Sequence, residues 1–273
     1  MSQSLSLPEA EISSYLEHAI HLAALARTLV SHMTLKDLRV AQKADKSFVT
    51  AVDLEVEKTL RSAIVERFPE HGILGEEFSE LNSDSDFQWI IDPIDGTLSL
   101  RNGIPLYGTI IALEYKGSPI VSVIDHAAIG HCYWAQKNGG LWLNGTRVNI
   151  VDFTDATDWS NEIVACGDRA NFIRSNAEHL WHALQDEFPR VRTYSDCFGH
   201  TLAASGKIAA MVDFNICKWD IAATQLLVEE AGGKFELVEE TKSPNDYTRY
   251  SVVLGAPKAV DRIVALFRKS SKK

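Results

Sequence analysis

The stretch Trp89-Ile90-Ile91-Asp92-Pro93-Ile94-Asp95-Gly96-Thr97 constrains this chain more than any other. Its apolar opening, Trp89 to Ile91, reads as a buried strand. Pro93 has no N–H for a sheet ladder, so the strand is expected to stop at Asp92, with Asp95, Gly96 and Thr97 in a turn. Two carboxylates at the end of a buried strand are unfavourable unless something compensates their charge. A divalent cation is the simplest compensation, because hard cations prefer oxygen ligands. Gly96 lets a backbone approach a ligand closely, and consecutive turn amides can cradle a phosphate. Taken alone, the motif fits a plain Asp-rich turn equally well.

The remainder of the chain bounds the choice. Its 273 residues, 45% of them hydrophobic, can bury a sizeable core as one large domain or two medium ones. With 27 Lys and Arg against 37 Asp and Glu, the net charge of -10 argues against a nucleic-acid surface. Cys132, Cys166, Cys197 and Cys217 form no C-x-x-C pair, so neither zinc nor a redox dithiol is indicated, and reduced, mostly buried thiols are expected. No apolar run reaches the ~20 residues of a membrane span. The start, Met1-Ser2-Gln3-Ser4, lacks the basic and apolar regions of a signal peptide, so a cytoplasmic location is expected.

Taken in order, Pro8-Glu9 opens a helix whose core face is Ile12, Leu16, Ala19, Ala23, Ala26 and Val30. His18, His21 and His32 fit solvated or capping roles on or near it. In the run Lys43 to Asp53, Thr50 and Asp53 make a capping box for a helix through Leu54, Leu60, Ile64 and Phe68 that stops before Pro69. Asp53 is thus either a cap or an acid near a metal-bound water. Ile73-Leu74-Gly75-Glu76-Glu77 reads as a strand entering a turn, with one glutamate able to face a site and the other solvent. Strands at 107–115, 120–124 and 131–135, with Asn138-Gly139-Gly140 and Asn144-Gly145 turns, form an antiparallel meander.

The polar segment Val151 to Asn161 is the expected boundary between an α+β half, 1–150, carrying the metal-binding motifs and an α/β half, 151–273, completing the metal site and carrying specificity residues. Ser175-Asn176-Ala177-Glu178 reads as a second capping box, for a helix ending at Pro189. A strand at 191–194, a helix at 198–205 and a strand at 208–214 follow. Asp220 reads as the N-cap of a helix closed by Gly232-Gly233. Strands near 234–238 and 250–254 and a helix from Pro257 to Phe267 complete the chain before a basic tail.

Together, G-E-E at 75–77, W-I-I-D-P-I-D-G-T at 89–97, W-D-I-A-A at 219–223 and A-G-G at 231–233 resemble the inositol monophosphatase superfamily of magnesium-dependent, lithium-sensitive phosphatases. The run Lys43 to Asp53 fits the same family, and the resemblance spans essentially the whole chain. It implies a layered α-β-α-β-α sandwich, α+β or α/β in class, usually a homodimer. It implies that Glu76, Asp92 and the Ile94 carbonyl hold one Mg2+, and that Asp92, Asp95 and Asp220 hold a second. Glu76 or Asp53 would reach a third through water, the Gly96 and Thr97 amides would take the phosphate, and the Thr97 hydroxyl would pair with Asp53 as the catalytic base. Two cations ~3.5–4 Å apart can activate water and stabilise a poor alkoxide leaving group.

Within the superfamily, Gly103-Ile104-Pro105-Leu106-Tyr107-Gly108-Thr109, Asp196-Cys197-Phe198 and Ala204-Ser205-Gly206 look most like the histidinol-phosphate phosphatase branch of histidine biosynthesis. Asp196 and Asp213 would then bind a substrate ammonium group. Two departures stand out: Ser195 where the branch usually has Gly, and Lys218-Trp219-Asp220 where it often has Pro-Tyr-Asp. Trp219-Asp220 is closer to inositol monophosphatases, and Lys218 suggests a second phosphate. Inositol 1-phosphate and a nucleotide 3',5'-bisphosphate are the alternative small-molecule esters. A non-catalytic metal- or phosphate-binding relative is the competing class, disfavoured because Asp53, Glu76, Asp92, Asp95, Thr97 and Asp220 are all present.

Overall fold

A computed structural model describes residues 7–32, 40–42, 48–150, 159–242 and 248–270. The chain opens with α1 (Glu9–His32), a short ribbon of β1 (Val40–Gln42) and β2 (Phe48–Thr50), and α2 (Ala51–Arg67). Next come β3 (Gly72–Gly75), β4 (Phe87–Asp95) and the short α3 (Thr97–Arg101). The meander is β5 (Gly108–Tyr115), β6 (Ser118–His126), β7 (His131–Gln136), β8 (Gly140–Leu143) and β9 (Thr146–Val148). The second half has β10 (Val164–Cys166), α4 (Arg169–Arg174), α5 (Glu178–Glu187), β11 (Val191–Thr193), α6 (Asp196–Ala204) and β12 (Ala210–Ile216). It ends with α7 (Lys218–Glu230), β13 (Lys234–Lys242), β14 (Thr248–Gly255) and α8 (Pro257–Ser270).

Strands β3 to β9 form a seven-stranded sheet in chain order, antiparallel except where β3 runs parallel to β4. The second sheet is β11-β10-β12-β14-β13, with β10 parallel to both β11 and β12. Helices α1 and α2 pack on the first sheet, α6 and α7 contact both sheets, and α4 and α8 pack on the second. The result is the α-β-α-β-α layering expected from the resemblance. Alternation along β4 explains why both faces of its sheet are dry. Trp89 and Ile91 join Leu22, Leu60 and Ile64 in one core, while Ile90 joins Leu226, Leu227 and Val253 in the other. Each such fully buried side chain contributes roughly 1.5–3 kcal/mol.

Several local expectations are corrected. β4 does not stop at Asp92: it continues through Pro93 to Asp95, with a register shift against β5 between Asp92 and Asp95. That irregularity accommodates a residue without an N–H. Pro8 lies just outside α1, its carbonyl accepting from the Glu11 and Ile12 N–H groups. His18 is buried, edge-on to Phe68 and Trp89, so it is neither solvated nor capping. The Ser175–Glu178 segment makes no capping box, because Ala177 occupies the N-cap and Asn176 adopts φ 53°. Most of the expected boundary at 151–161, and Lys43 to Ser47, lie outside the described residues.

Candidate active site

The capping box at the start of α2 is formed. Thr50 Oγ1 accepts from the Val52 and Asp53 amides, and Asp53 Oδ2 accepts from the Thr50 N–H at 2.9 Å and from the Thr50 hydroxyl. The cap leaves Asp53 Oδ1 free to accept from the Thr97 hydroxyl at 3.1 Å. Asp53 is fully buried, and burial raises its pKa above the usual carboxylate range against the opposing hydrogen bonds from Thr50 and Thr97. Cap and candidate base are therefore the same residue.

From β4 the cluster grows around Asp92. One carboxylate oxygen each of Asp92, Asp95 and Asp220 lie within 4.8 Å of one another. Asp92 Oδ1 accepts the Ile94 N–H at 3.0 Å, and the Ile94 carbonyl also lies 3.1 Å from Thr97 Oγ1, so it and Asp53 Oδ1 share the one hydroxyl proton. Burial is the main reason the Asp92 pKa stands well above the ordinary value, with Glu76, Asp95, Asp220 and Asp53 adding repulsion. Burial also raises Asp95, with Asp196 and Asp220 contributing, against the N–H of Cys197. Burial and the Glu76 charge lift Asp220 to about 8. These carboxylates repel one another across a space that oxygen ligands line, the donor set a hard divalent cation requires.

Asp220 is not the N-cap of α7. Cys217 holds that position and Asp220 sits at the third helical residue, accepting the Cys217 N–H at 2.7 Å. A carboxylate in the first helical turn is favoured by the helix dipole. Gly96 adopts φ 86°, and a Cβ there would lie 3.0 Å from the Leu106 carbonyl and 3.2 Å from Asp196 Oδ2, so this turn requires glycine. Glu76, Ile94, Gly96 and Thr97 line one cavity with Asp92, Asp95 and Asp220, of about 460 Å³.

A second cavity, about 310 Å³, shares Asp95, Asp168, Ser195, Asp196 and Asp220 with the first. Asp213, buried on β12, lines it together with Asp196. Asp196 begins α6 with φ 63°. Burial, with Asp213 and Asp168 nearby, raises it to about 7. Nine of the ten site residues expected from the sequence thus line one or other cavity, and the tenth, Asp53, joins through its bond to Thr97. Lys218, suggested above for a second phosphate, lines neither cavity, and its ammonium pairs with Glu114 at 2.7 Å.

Sequence reasoning missed Asp168, His200, Arg174 and Arg249, which also line the second cavity. Asp168 follows a strand, β10, too short to show a period, and as the N-cap of α4 it makes no side-chain capping bond. Ser195 Oγ donates to it at 3.0 Å. His200 lies four residues after Asp196 on α6, a spacing that puts both on one helix face and that could have found it.

A layered sandwich presenting converging carboxylates beside a glycine turn suits hydrolysis of an anionic ester, and the family match and the named relatives make this chain a phosphatase. The chain belongs to the inositol monophosphatase family, whose description matches residues 11–272. It is 37% identical over 219 residues to a histidinol-phosphatase of Chlorobaculum parvum, covering 80% of this chain and 83% of that one. It is 30% identical over 257 residues to Nus factor SuhB of Escherichia coli, covering 92% and 94% respectively. Among solved structures, the fold is shared with inositol monophosphatase from Anabaena (Nostoc) sp. PCC 7120 at a TM-score of 0.80 and 23% identity, covering 95% and 97%.

Proposed function

We propose that this phosphatase is a magnesium-dependent histidinol-phosphate phosphatase. The observation that carries the substrate reading is the pair Asp196 and Asp213, lining the cavity that adjoins the Asp92, Asp95 and Asp220 cluster. An ester with its phosphate at the cluster would direct its other end toward these acids, and paired carboxylates favour a cation such as an ammonium group. The similarity to a histidinol-phosphatase supports the same reading.

Glu76, Asp92 and the Ile94 carbonyl would hold one Mg2+, and Asp92, Asp95 and Asp220 another. When bound, the cation supplies Lewis acidity that activates water and neutralises charge on the ester and its leaving oxygen. The protein's own contribution begins at Thr97. Its hydroxyl donates to Asp53 Oδ1, leaving lone pairs on Oγ1 to accept from water. A proton taken at Thr97 Oγ1 is matched by the hydroxyl's own proton passing to Asp53 Oδ1, the carboxylate oxygen within hydrogen-bond reach. Gly96 and the Thr97 amide start α3, where the backbone favours an anion. The proposal assigns no nucleophilic cysteine; burial, with Asp95 beside it, raises the Cys197 thiol well above its usual value.

Arg174 and Arg249 line the same cavity and favour a second reading, in which the ester carries another anion, as a nucleotide 3',5'-bisphosphate does. Comparing kcat/KM for histidinol phosphate, inositol 1-phosphate, adenosine 3',5'-bisphosphate and fructose 1,6-bisphosphate with Mg2+ decides. Histidinol phosphate ranks first on the proposal, and Asp196→Asn weakens it selectively. Equal loss across the four esters rejects the ammonium subsite. Asp92→Asn abolishes all four activities, and parental rates in that variant reject the metal assignment. A homodimer is the proposed assembly, and light scattering at the monomer mass rejects it.

A further inference from the structure

His200 is almost wholly buried, yet lines the second cavity, and both ring nitrogens are engaged. Nε2 lies 3.2 Å from Asp213 Oδ2 and Nδ1 lies 3.0 Å from the hydroxyl oxygen of Thr224. The tautomer with its proton on Nε2 donates to Asp213 Oδ2 and accepts from the Thr224 hydroxyl at Nδ1, which satisfies both nitrogens. The other oxygen of Asp213 accepts the Phe214 N–H at 2.9 Å. Against that same oxygen lies Gly167, where a Cβ would come within 2.2 Å. The carboxylate therefore sits in a slot formed by an imidazole, a main-chain amide and a glycine.

We propose that His200 is a positioning residue for substrate selection: it fixes the Asp213 carboxylate in the orientation that receives the non-phosphate end of the ester. The inference rests on the reading of this cavity as the substrate site. Two geometric facts favour it over simple packing. His200 fills a cavity-lining position one helical turn after Asp196, so one helix supplies both the second acid and the group that orients Asp213. Thr224 belongs to α7, which also carries Asp220, so the contact at Nδ1 ties the recognition end to the metal end through one rigid helix. A rotated Asp213 would present a different lone pair to substrate and leave one oxygen short of a donor. The two bonds of the imidazole run to Asp213 and Thr224, so its loss acts first at the recognition end of the cavity.

The test measures kcat and KM, with Mg2+, for p-nitrophenyl phosphate and for whichever of the four esters the parent prefers. His200→Leu is expected to raise KM for the preferred ester about 10- to 100-fold, the range for losing a hydrogen bond to a charged group, with p-nitrophenyl phosphate changed less than about twofold. His200→Gln, whose amide can donate to Asp213, recovers most of the loss. Equal loss on both esters, or an unchanged KM for the preferred one, overturns the assignment. If His200→Leu does not fold, Thr224→Val removes the contact at Nδ1 and makes the same comparison: a fall in selectivity supports the role, and parental selectivity overturns it. The parent's ranking of the four esters decides the histidinol reading separately, so the two failures are distinguishable.

Discussion

Replacing Asp220 by asparagine separates what this acid costs the fold from what it does. Its carboxylate accepts the Cys217 N–H at 2.7 Å, and an asparagine oxygen can keep that bond. The substitution thus removes the ionisable group and spares the cap. Burial, then Glu76, raise Asp220 to about 8, with Asp213 adding and the Cys217 N–H and Arg249 opposing. An acid whose folded pKa exceeds its unfolded one leaves the folded state binding more protons, so stability falls as pH rises from the unfolded toward the folded value. At pH 7, about three units above the unfolded pKa, linkage gives at most ~4 kcal/mol, and ~2 kcal/mol once relaxation and solvent screening are allowed for. For a chain of this size, ~2 kcal/mol corresponds to ~4–8 °C in Tm. In EDTA at pH 7, Asp220→Asn is therefore expected to melt above the parent, while Mg2+-dependent phosphate release nearly vanishes. The assay is thermal melting with EDTA or Mg2+ alongside phosphate release. A variant that melts below the parent in EDTA, or keeps parental turnover, refutes the reasoning.

Further outcomes follow from the same geometry. Thr97→Val removes the hydroxyl that donates to Asp53 at 3.1 Å; kcat is expected to fall ~10²–10⁴-fold, the usual range for a lost proton path, with Mg2+ affinity retained in calorimetry. The EDTA-treated parent is expected to lose stability progressively from about pH 5 to pH 8, because Asp196 rises to about 7 and Asp220 to about 8 from unfolded values near 4, and Mg2+ flattens the profile in thermal melts. Gly199→Ala places a Cβ 2.0 Å from the Tyr194 carbonyl, a main-chain atom that cannot step aside cheaply, so chemical denaturation should show a loss of ~1–3 kcal/mol or more.

What could be read from the chain was whatever local chemistry dictates. Alternation and Asn-Gly turns marked the meander from β5 to β9, and Thr50 with Asp53 marked the start of α2, because both signals act within a few residues. The residues alone suggested a cation at Asp92 and Asp95 and left Asp220 as a cap; it was the resemblance carried by the motifs at 75–77, 89–97 and 219–223 that joined the three acids, which the structure brings within 4.8 Å of one another. Tertiary context decided the rest. Pro93 stays within β4 because the irregularity against β5 accommodates it. The three residues of β10 gain their place from parallel neighbours on both sides, a pairing that leaves no periodic trace. His18 is buried because Phe68 and Trp89 enclose it. His200 escaped notice because its partners, Thr224 and Asp213, are respectively 24 and 13 residues away.

The central claim is that the acids converge to hold divalent cations at which a phosphate ester is hydrolysed. Anomalous diffraction from crystals soaked in Mn2+, a scattering substitute for Mg2+, tests it directly. The account predicts at least one strong peak coordinated by carboxylate oxygens of Asp92, Asp95 and Asp220, lost in Asp92→Asn. Full phosphatase activity in EDTA, from crystals that show no such peak, would contradict it.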